Sequence, residues 1–305
     1  MLSLLVLGSA AGGGFPQWNC NCRVCRLAWL GDPRVTPRTQ SSVAVTGDGE
    51  RWFLLNASPD LRQQIWANPP LHPARDQRHS PIAGAVLTNA DIDHIGGLLT
   101  LRESWPLTVM ATAKVVDALH SNPIFNVLNP DYVGFRDLPL NRPTALRAPD
   151  GGATGLEVEA FAVPGKVALF LEGLDANTGE DTIALHARAP ADGKHFFYIP
   201  GCAKVTLELA ERLSGAPLVL FDGTLWTDDE MIASGVGVKT GQRMAHISLS
   251  GPDGTLAAFR DLGVERKVLI HINNTNPVLI EDSPEARTVA DAGWEIGYDG
   301  MGITL

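Results

Sequence analysis

The sequence predicts an α/β protein of four layers, an αββα sandwich in which two β-sheets pack face to face with helices outside both. Three features carry this expectation. Short β-rich runs open the chain in pairs, later runs alternate with helical patterns, and the succession roughly repeats in the second half. With 305 residues, 45% of them hydrophobic, the chain can fill the large core that such an architecture needs. Residues 1–305 are therefore expected to form a single domain, and the repetition suggests two similar halves.

The elements follow in order. Residues 2–7 are an almost wholly apolar run closed by Gly8 and read as the first strand. Further strands are expected at residues 42–45, 52–56, 84–88 and 107–111, with helical patterns at residues 60–67, 95–103 and 114–120. Residues 138–155 are rich in proline and glycine and read as a crossing between the halves. Beyond them, strands are expected at residues 157–163, 182–186, 195–199, 218–222, 267–271 and 301–305, and helices at residues 205–213, 228–233, 252–262 and 284–292. Several of the helices open on Asp, Ser or Pro, which satisfy or dispense with the free N–H groups of a first turn.

Charge narrows the partners. The balance of 24 basic against 34 acidic residues leaves a formal charge of -10, which repels phosphate backbones and anionic lipid, so nucleic acid is not expected as a partner. The apolar start lacks a basic leader and runs into Gly12, Gly13 and Gly14 too soon to be a signal peptide, and no apolar run is long enough to cross a bilayer. A cytoplasmic protein without membrane insertion is expected. Cysteine use agrees: Cys20, Cys22 and Cys25 crowd into one short loop, where disulfide geometry is awkward and chelation is easy.

Four places carry candidate chemistry, all on loops at strand ends. Cys20-Asn-Cys22-Arg-Val-Cys25 offers three soft thiolates to one structural zinc ion. A fourth donor has to come from elsewhere; Cys202 could supply it or be a lone buried thiol. In the run from Val86 to Gly97, an apolar strand gives way to Asn89, Asp91, Asp93 and His94; alternation would set the first three on one side of an extended chain facing one cavity. Asp222 ends the apolar run Leu218-Val-Leu-Phe, a costly place for a charge unless a cation or donors meet it, and is a candidate metal bridge or ligand. His271 likewise closes a buried strand and is followed by the amides Asn273, Asn274 and Asn276. His246, in Met244-Ala-His246-Ile-Ser248, is expected just before a helix, as a proton carrier or a capping residue.

These strand-end signals, in this order, resemble the metallo-β-lactamase superfamily. Its His-x-His-x-Asp-His signature falls on Asn89, Asp91, Asp93 and His94, its acidic ligand on Asp222 and its final histidine on His271. The histidine of residues 164–166 is missing, and the early aspartate is replaced by Asn56. Longer runs give a narrower match. Gly8 to Cys20, Asn56-Ala-Ser-Pro-Asp60, Asp222-Gly-Thr-Leu-Trp226 and His271-Ile-Asn-Asn-Thr-Asn-Pro277 are similar to the coenzyme PQQ synthesis protein B family. In relatives with the cysteine loop, the fourth zinc ligand lies three residues beyond the last active-site histidine. That position is Asn274 here.

Two histidines at most, with carboxylates and open positions, match non-haem Fe(II) oxygenases better than zinc hydrolases. The active-site set is therefore expected to be Asp91, Asp93, His94, Asp222 and His271 around Fe(II) or another divalent ion, with Asp93 or His246 moving protons. The resemblance implies work in the biosynthesis of pyrroloquinoline quinone (PQQ), as oxygen-dependent hydroxylation of the tyrosine ring of a Glu-Tyr unit from a precursor peptide. Lys166, Lys204 and Arg243 are candidates to meet the carboxylates of such a substrate. Two alternatives stay open: a metal-dependent hydrolase, and a non-catalytic carrier aiding transport of PQQ or its precursor to the periplasm. Other PQQ pathway proteins are possible partners, and the tryptophan-bearing segment at residues 18–29 suggests a homodimer.

Overall fold

The structure, a computed structural model, describes residues 1–173 and 178–305. Its strands are β1 (Ser3–Gly8), β2 (Ser42–Thr46), β3 (Trp52–Leu55), β4 (Ile82–Val86), β5 (Leu107–Ala111), β6 (Val133–Asp137), β7 (Pro143–Arg147), β8 (Ala153–Ala162), β9 (Ile183–Ala189), β10 (Lys194–Ile199), β11 (Val219–Asp222), β12 (Lys267–Ile270), β13 (Trp294–Ile296) and β14 (Met301–Thr304). They form two seven-stranded sheets, ordered β14-β1-β2-β3-β4-β5-β6 and β13-β12-β11-β10-β9-β8-β7. Both sheets have the same plan. The first runs antiparallel from β14 to β3 and parallel from β3 to β6. The second runs antiparallel from β7 to β10 and parallel from β10 to β13.

Side-chain alternation along each strand creates the layers. Leu4, Val6, Phe53 and Leu55 meet Leu185, Tyr198, Leu220 and Ile270 between the sheets. Their neighbours Leu7, Leu54 and Leu87 face the other way, against Leu61, Leu98 and Val115 from the outer helices. On the far side, Phe197, Phe221 and Leu269 pack with Leu209, Phe259 and Val289. Sheets buried on both faces need near-continuous apolar strands, which is why 42–46 and 219–222 are buried throughout. The expected αββα metallo-β-lactamase sandwich is thus the observed fold.

Several elements differ from expectation. The strands β6, β7 and β13 were not anticipated, and all are sheet edges. Edge strands are short and half-exposed, so their apolar signal is weak; Pro143 opens β7 where a missing N–H costs no interior ladder bond. The helix expected at 95–103 starts earlier, as one turn at Ile92–Ile95 that tightens to 3₁₀ geometry over Gly96–Leu101. The helix expected at 252–262 is only Thr255–Ala258. A turn at Gly241–Met244 comes before His246, which therefore follows one short helix as well as preceding another, Thr255–Ala258. Among the described residues, no helix is long and apolar enough to cross a membrane.

The parallel strands position the site. Asn89 to His94 follow the carboxyl end of β4, Asp222 ends β11 and His271 follows β12, so the loops of both sheets open on one edge of the sandwich. Gly97 locks the first loop in place: a Cβ there would lie 2.2 Å from the Ser58 carbonyl oxygen. That close approach lets the Gly97 N–H reach Ala57 O, while Ala57 N–H donates to His94 O.

Candidate metal centre

Three side chains from two loops converge first. The Asp93 carboxylate lies 3.0 Å from His271 Nε2 and 3.7 Å from His94 Nε2, and the donor atoms of the three residues all fall within 4.8 Å of one another. His94 is oriented from behind, its Nδ1 being 2.7 Å from Asn89 Oδ1. That contact assigns the ring proton to Nδ1 and leaves Nε2 as a lone pair. Nε2 is buried and has no hydrogen-bond partner, the condition of a ligand atom awaiting a cation. Two imidazoles and one carboxylate suit a divalent transition metal, so the residues present fit such an ion.

The electrostatics agree. Burial alone would raise the Asp93 carboxyl, but the imidazoles of His94 and His271 outweigh it and hold the group well below the usual carboxylate range. Burial, offset only in part by Asp93, pushes His94 down to about 4. His271 moves upward, because its hydrogen bond to Asp93 overcomes the effect of burial. An ionised Asp93 between two imidazoles is suited to be a ligand.

A second group shares one member with the first. Asp222, His246 and His271 also present donor atoms within 4.8 Å of one another. Asp222 is fully buried and satisfied: its Oδ2 accepts from Cys202 N–H at 2.9 Å and lies 2.7 Å from His246 Nδ1, and its Oδ1 accepts from the Thr224 hydroxyl at 2.6 Å. Burial would raise its pKa, but the charge and hydrogen bond of His246 prevail and lower it. His246 stacks on His271, centroid to centroid at 5.1 Å, while His94 meets His271 edge-on. Non-glycine residues with positive φ gather here, at Asn56, Ala245 and His271, as strained backbone does around functional sites. Asn56, at the superfamily's early aspartate position, is not a ligand; it pairs with Thr88 and Tyr198 between the sheets.

Asp91 joins neither group. The expected alternation is cut short because the helical turn begins at Ile92, and Asp91 instead accepts from Leu169 N–H at 3.1 Å and faces Lys166 Nζ at 3.8 Å. Over both groups lies a cavity of about 300 Å³, lined in part by Gln17, Lys166, Lys239, Met244 and Asn273. Lys166 is thus at the cavity wall. Lys204 does not line it, and Arg243 pairs with Glu172 at 2.8 Å. Thr224 and Lys239 were not singled out from sequence. Thr224 could have been noticed from its place two residues after Asp222, whereas Lys239 sits in a loop with no pattern.

The cysteines converge separately. Cys20, Cys22 and Cys25 are buried, with sulfurs within 4.8 Å of one another. Cys22 caps the helix Arg23–Trp29 by accepting from Cys25 N–H. A hydrogen bond from the Cys25 thiol brings Cys22 down to about 5 against the opposing effect of burial, and raises Cys25 in turn. The Asn274 amide nitrogen lies 3.1 Å from Cys20 Sγ, 3.2 Å from Cys25 Sγ and 4.0 Å from Cys22 Sγ. Cys202 is elsewhere, its thiol directed to Lys204 O at 3.1 Å, so it is the lone buried thiol of the two alternatives.

Comparison with known proteins gives the same picture. Residues 51–272 match the model of the Beta-lactamase superfamily domain. The chain is 56% identical to a coenzyme PQQ synthesis protein B of Gluconacetobacter diazotrophicus and 51% identical to one of Methylobacterium sp., each over the full length of both chains. A crystal structure of zinc-bound PqqB from Methylobacterium extorquens, 51% identical, superposes with a TM-score of 0.94 over 99% of this chain and 100% of that one. A diphosphatase of the PhnP family, 20% identical with a TM-score of 0.70 over 99% of this chain and 96% of that one, shares the fold. Identity this high along the whole length, on a sandwich whose ligand loops have diverged from the superfamily signature, means that the chain belongs to the coenzyme PQQ synthesis protein B family of the β-lactamase superfamily.

Proposed function

We propose that this chain acts in PQQ biosynthesis as an iron- and oxygen-dependent hydroxylase of the tyrosine ring in a Glu-Tyr unit derived from a precursor peptide. One observation carries the reading: His94, His271 and Asp93 form a set of two imidazoles and one carboxylate around the unpartnered Nε2 of His94. That donor set is the one non-haem Fe(II) oxygenases use, and a bound Fe(II) ion would supply dioxygen activation. The chain's own residues do the rest. Asn89 fixes the His94 ring, and Asp222 fixes the His246 ring at the cavity wall. His246, carrying its proton on Nδ1 toward Asp222, presents the other ring nitrogen for accepting the proton lost from the substrate ring. Lys166 and Lys239 line the cavity and suit the carboxylates of a glutamyl-tyrosine substrate despite the acidic surface.

The cysteine loop is assigned a structural zinc ion, with the Asn274 amide, turned to present its oxygen, at the fourth position. A cytoplasmic homodimer completes the reading. Trp18, Trp29 and Leu30, beside the cysteine loop, are 82%, 54% and 76% exposed, an apolar area that a second copy would cover. The test is direct. Protein reconstituted anaerobically with Fe(II) and given Glu-Tyr should, on admission of air, consume oxygen and yield a hydroxylated ring. Cleavage of the dipeptide without oxygen uptake would make the protein a hydrolase, and tight retention of PQQ without turnover would make it a carrier.

A further inference from the structure

A second cavity, of about 530 Å³, shares no lining residue with the one over the metal centre. It lies in the helical layer outside the second sheet, between the turn Thr255–Ala258 and the end of the helix Pro284–Asp291. Aromatic rings build it. Phe259 and Trp294 are buried at its floor, edge to face with centroids 4.9 Å apart, and Trp226 stands half-buried at its wall. Trp226 closes the run Asp222-Gly-Thr-Leu-Trp226, and the reaction as described gives it no part. Its backbone is fixed, since its N–H donates to Glu230 Oε2 at 2.6 Å and its carbonyl accepts from the Ser250 hydroxyl at 2.7 Å. Its indole N–H donates to no group among the described residues. Fixed rings around a space of this size suit a flat ligand wider than one ring.

Charge narrows the ligand further. Arg260 and Lys267 both line the cavity, and among the described residues neither forms an ion pair. Lys267 Nζ sits 5.8 Å from the centre of the Trp294 ring and donates to Ala292 O at 3.1 Å. An ammonium has three N–H donors, so this bond to the helix end leaves two for a ligand. Asp291 is the one carboxylate in the lining, and it pairs with neither cation. Two cations against one anion, on a chain of net charge -10, make the cavity a place for anions on an otherwise acidic protein. An exposed arginine and a lysine at a helix end are ordinary apart; facing one aromatic slot, they can receive two carboxylates.

We propose that this cavity is a second binding site, for a planar fused-ring dicarboxylate that stacks against Trp226 over the Phe259 and Trp294 floor, with one carboxylate on Arg260 and the other on Lys267. The site stands independently of the ion at Asp93, His94 and His271.

Calorimetric titration of the full-length protein tests it, with naphthalene-2,6-dicarboxylate as the probe because its carboxylates stand too far apart to chelate a metal. One equivalent should bind per chain with a Kd below about 1 mM. Arg260→Glu, a change at an exposed position, and Lys267→Gln should each weaken binding by about 10- to 100-fold, the effect of losing a hydrogen bond to a charged group. N-acetyltyrosine, standing in for a peptide that ends in tyrosine, should bind more weakly by a similar factor; equal affinity would make the cavity a receptor for chain ends and overturn the dicarboxylate. In ¹⁵N-labelled wild type, the ligand should shift the indole resonances of Trp226 and Trp294 and leave the ring resonances of His94 and His271 in place. Shifts at the two histidines without shifts at the tryptophans would put the ligand at the metal centre and overturn the second site, with no variant needed. Absence of binding, or binding that both substitutions leave unchanged, overturns it as well.

Discussion

At the scale of single residues, the site is two triangles of donor side chains hinged on His271, and the groups behind those side chains matter as much as the side chains themselves. Asn89 holds His94 by a 2.7 Å contact and also accepts from Asp91 N–H, so its removal frees the ring and loosens the turn that carries it. Asn89→Ala should weaken the exchangeable ion by about 10- to 100-fold, measured by competition with a chelator, while any zinc held by the cysteine loop, as proposed, stays in place. His246 should show the complementary behaviour. His246→Gln should slow hydroxylation by about 10²- to 10⁴-fold with little loss of bound iron, as expected of a proton acceptor that is not a ligand. The sequence exposed Asp93, His94, Asp222 and His271 because each is polar at the end of an apolar run. Asp91, expected with them, lines the same cavity but stands outside both groups, since a helical turn at Ile92 turns that carboxylate toward Leu169 and Lys166, which only the backbone decides. Thr224 escaped notice because a hydroxyl beside a carboxylate looks like an ordinary turn residue.

At the scale of elements, the β9–β10 hairpin makes its own prediction. His186 Nε2 lies 3.0 Å from His195 Nδ1, and the His186 ring stacks on Phe197 at 4.3 Å. Burial pushes His186 down to about 4 and lowers His195 as well. Between the unfolded-chain value near 6.5 and the native value near 4, the unfolded chain binds protons that the native hairpin does not. Stability therefore falls as pH falls through that window. His186→Phe keeps the stack and removes the titration, so its melting temperature should drop less steeply than that of the wild type between pH 6.5 and 4. The interior strands were legible because burial on both faces forces unbroken apolar runs, whereas the edges β6, β7 and β13 were not, because half-exposed edges carry mixed sequences.

At the scale of the whole molecule, two sheets of identical plan bring their parallel halves to one edge, so a single cavity receives loops from both. The exposed tryptophans beside the cysteine loop bear on assembly. Sedimentation should give the mass of two chains, and Trp18→Glu should shift it toward one; a wild type that sediments as a single chain at every concentration would refute the dimer. The sequence by itself determined the layered fold, the family, the cluster of three cysteines and four of the five expected positions that converge at the strand-end site, because apolar periodicity and residues at strand ends are local properties of the chain. Tertiary structure alone decided how those positions divide into two triangles, that Asn274 rather than Cys202 meets the thiols, and that Thr224 stands between Asp222, His246 and His271. The reason is physical: a coordination site is a set of distances a few ångströms long between residues as far apart in sequence as Asp93 and His271, and no local pattern encodes them.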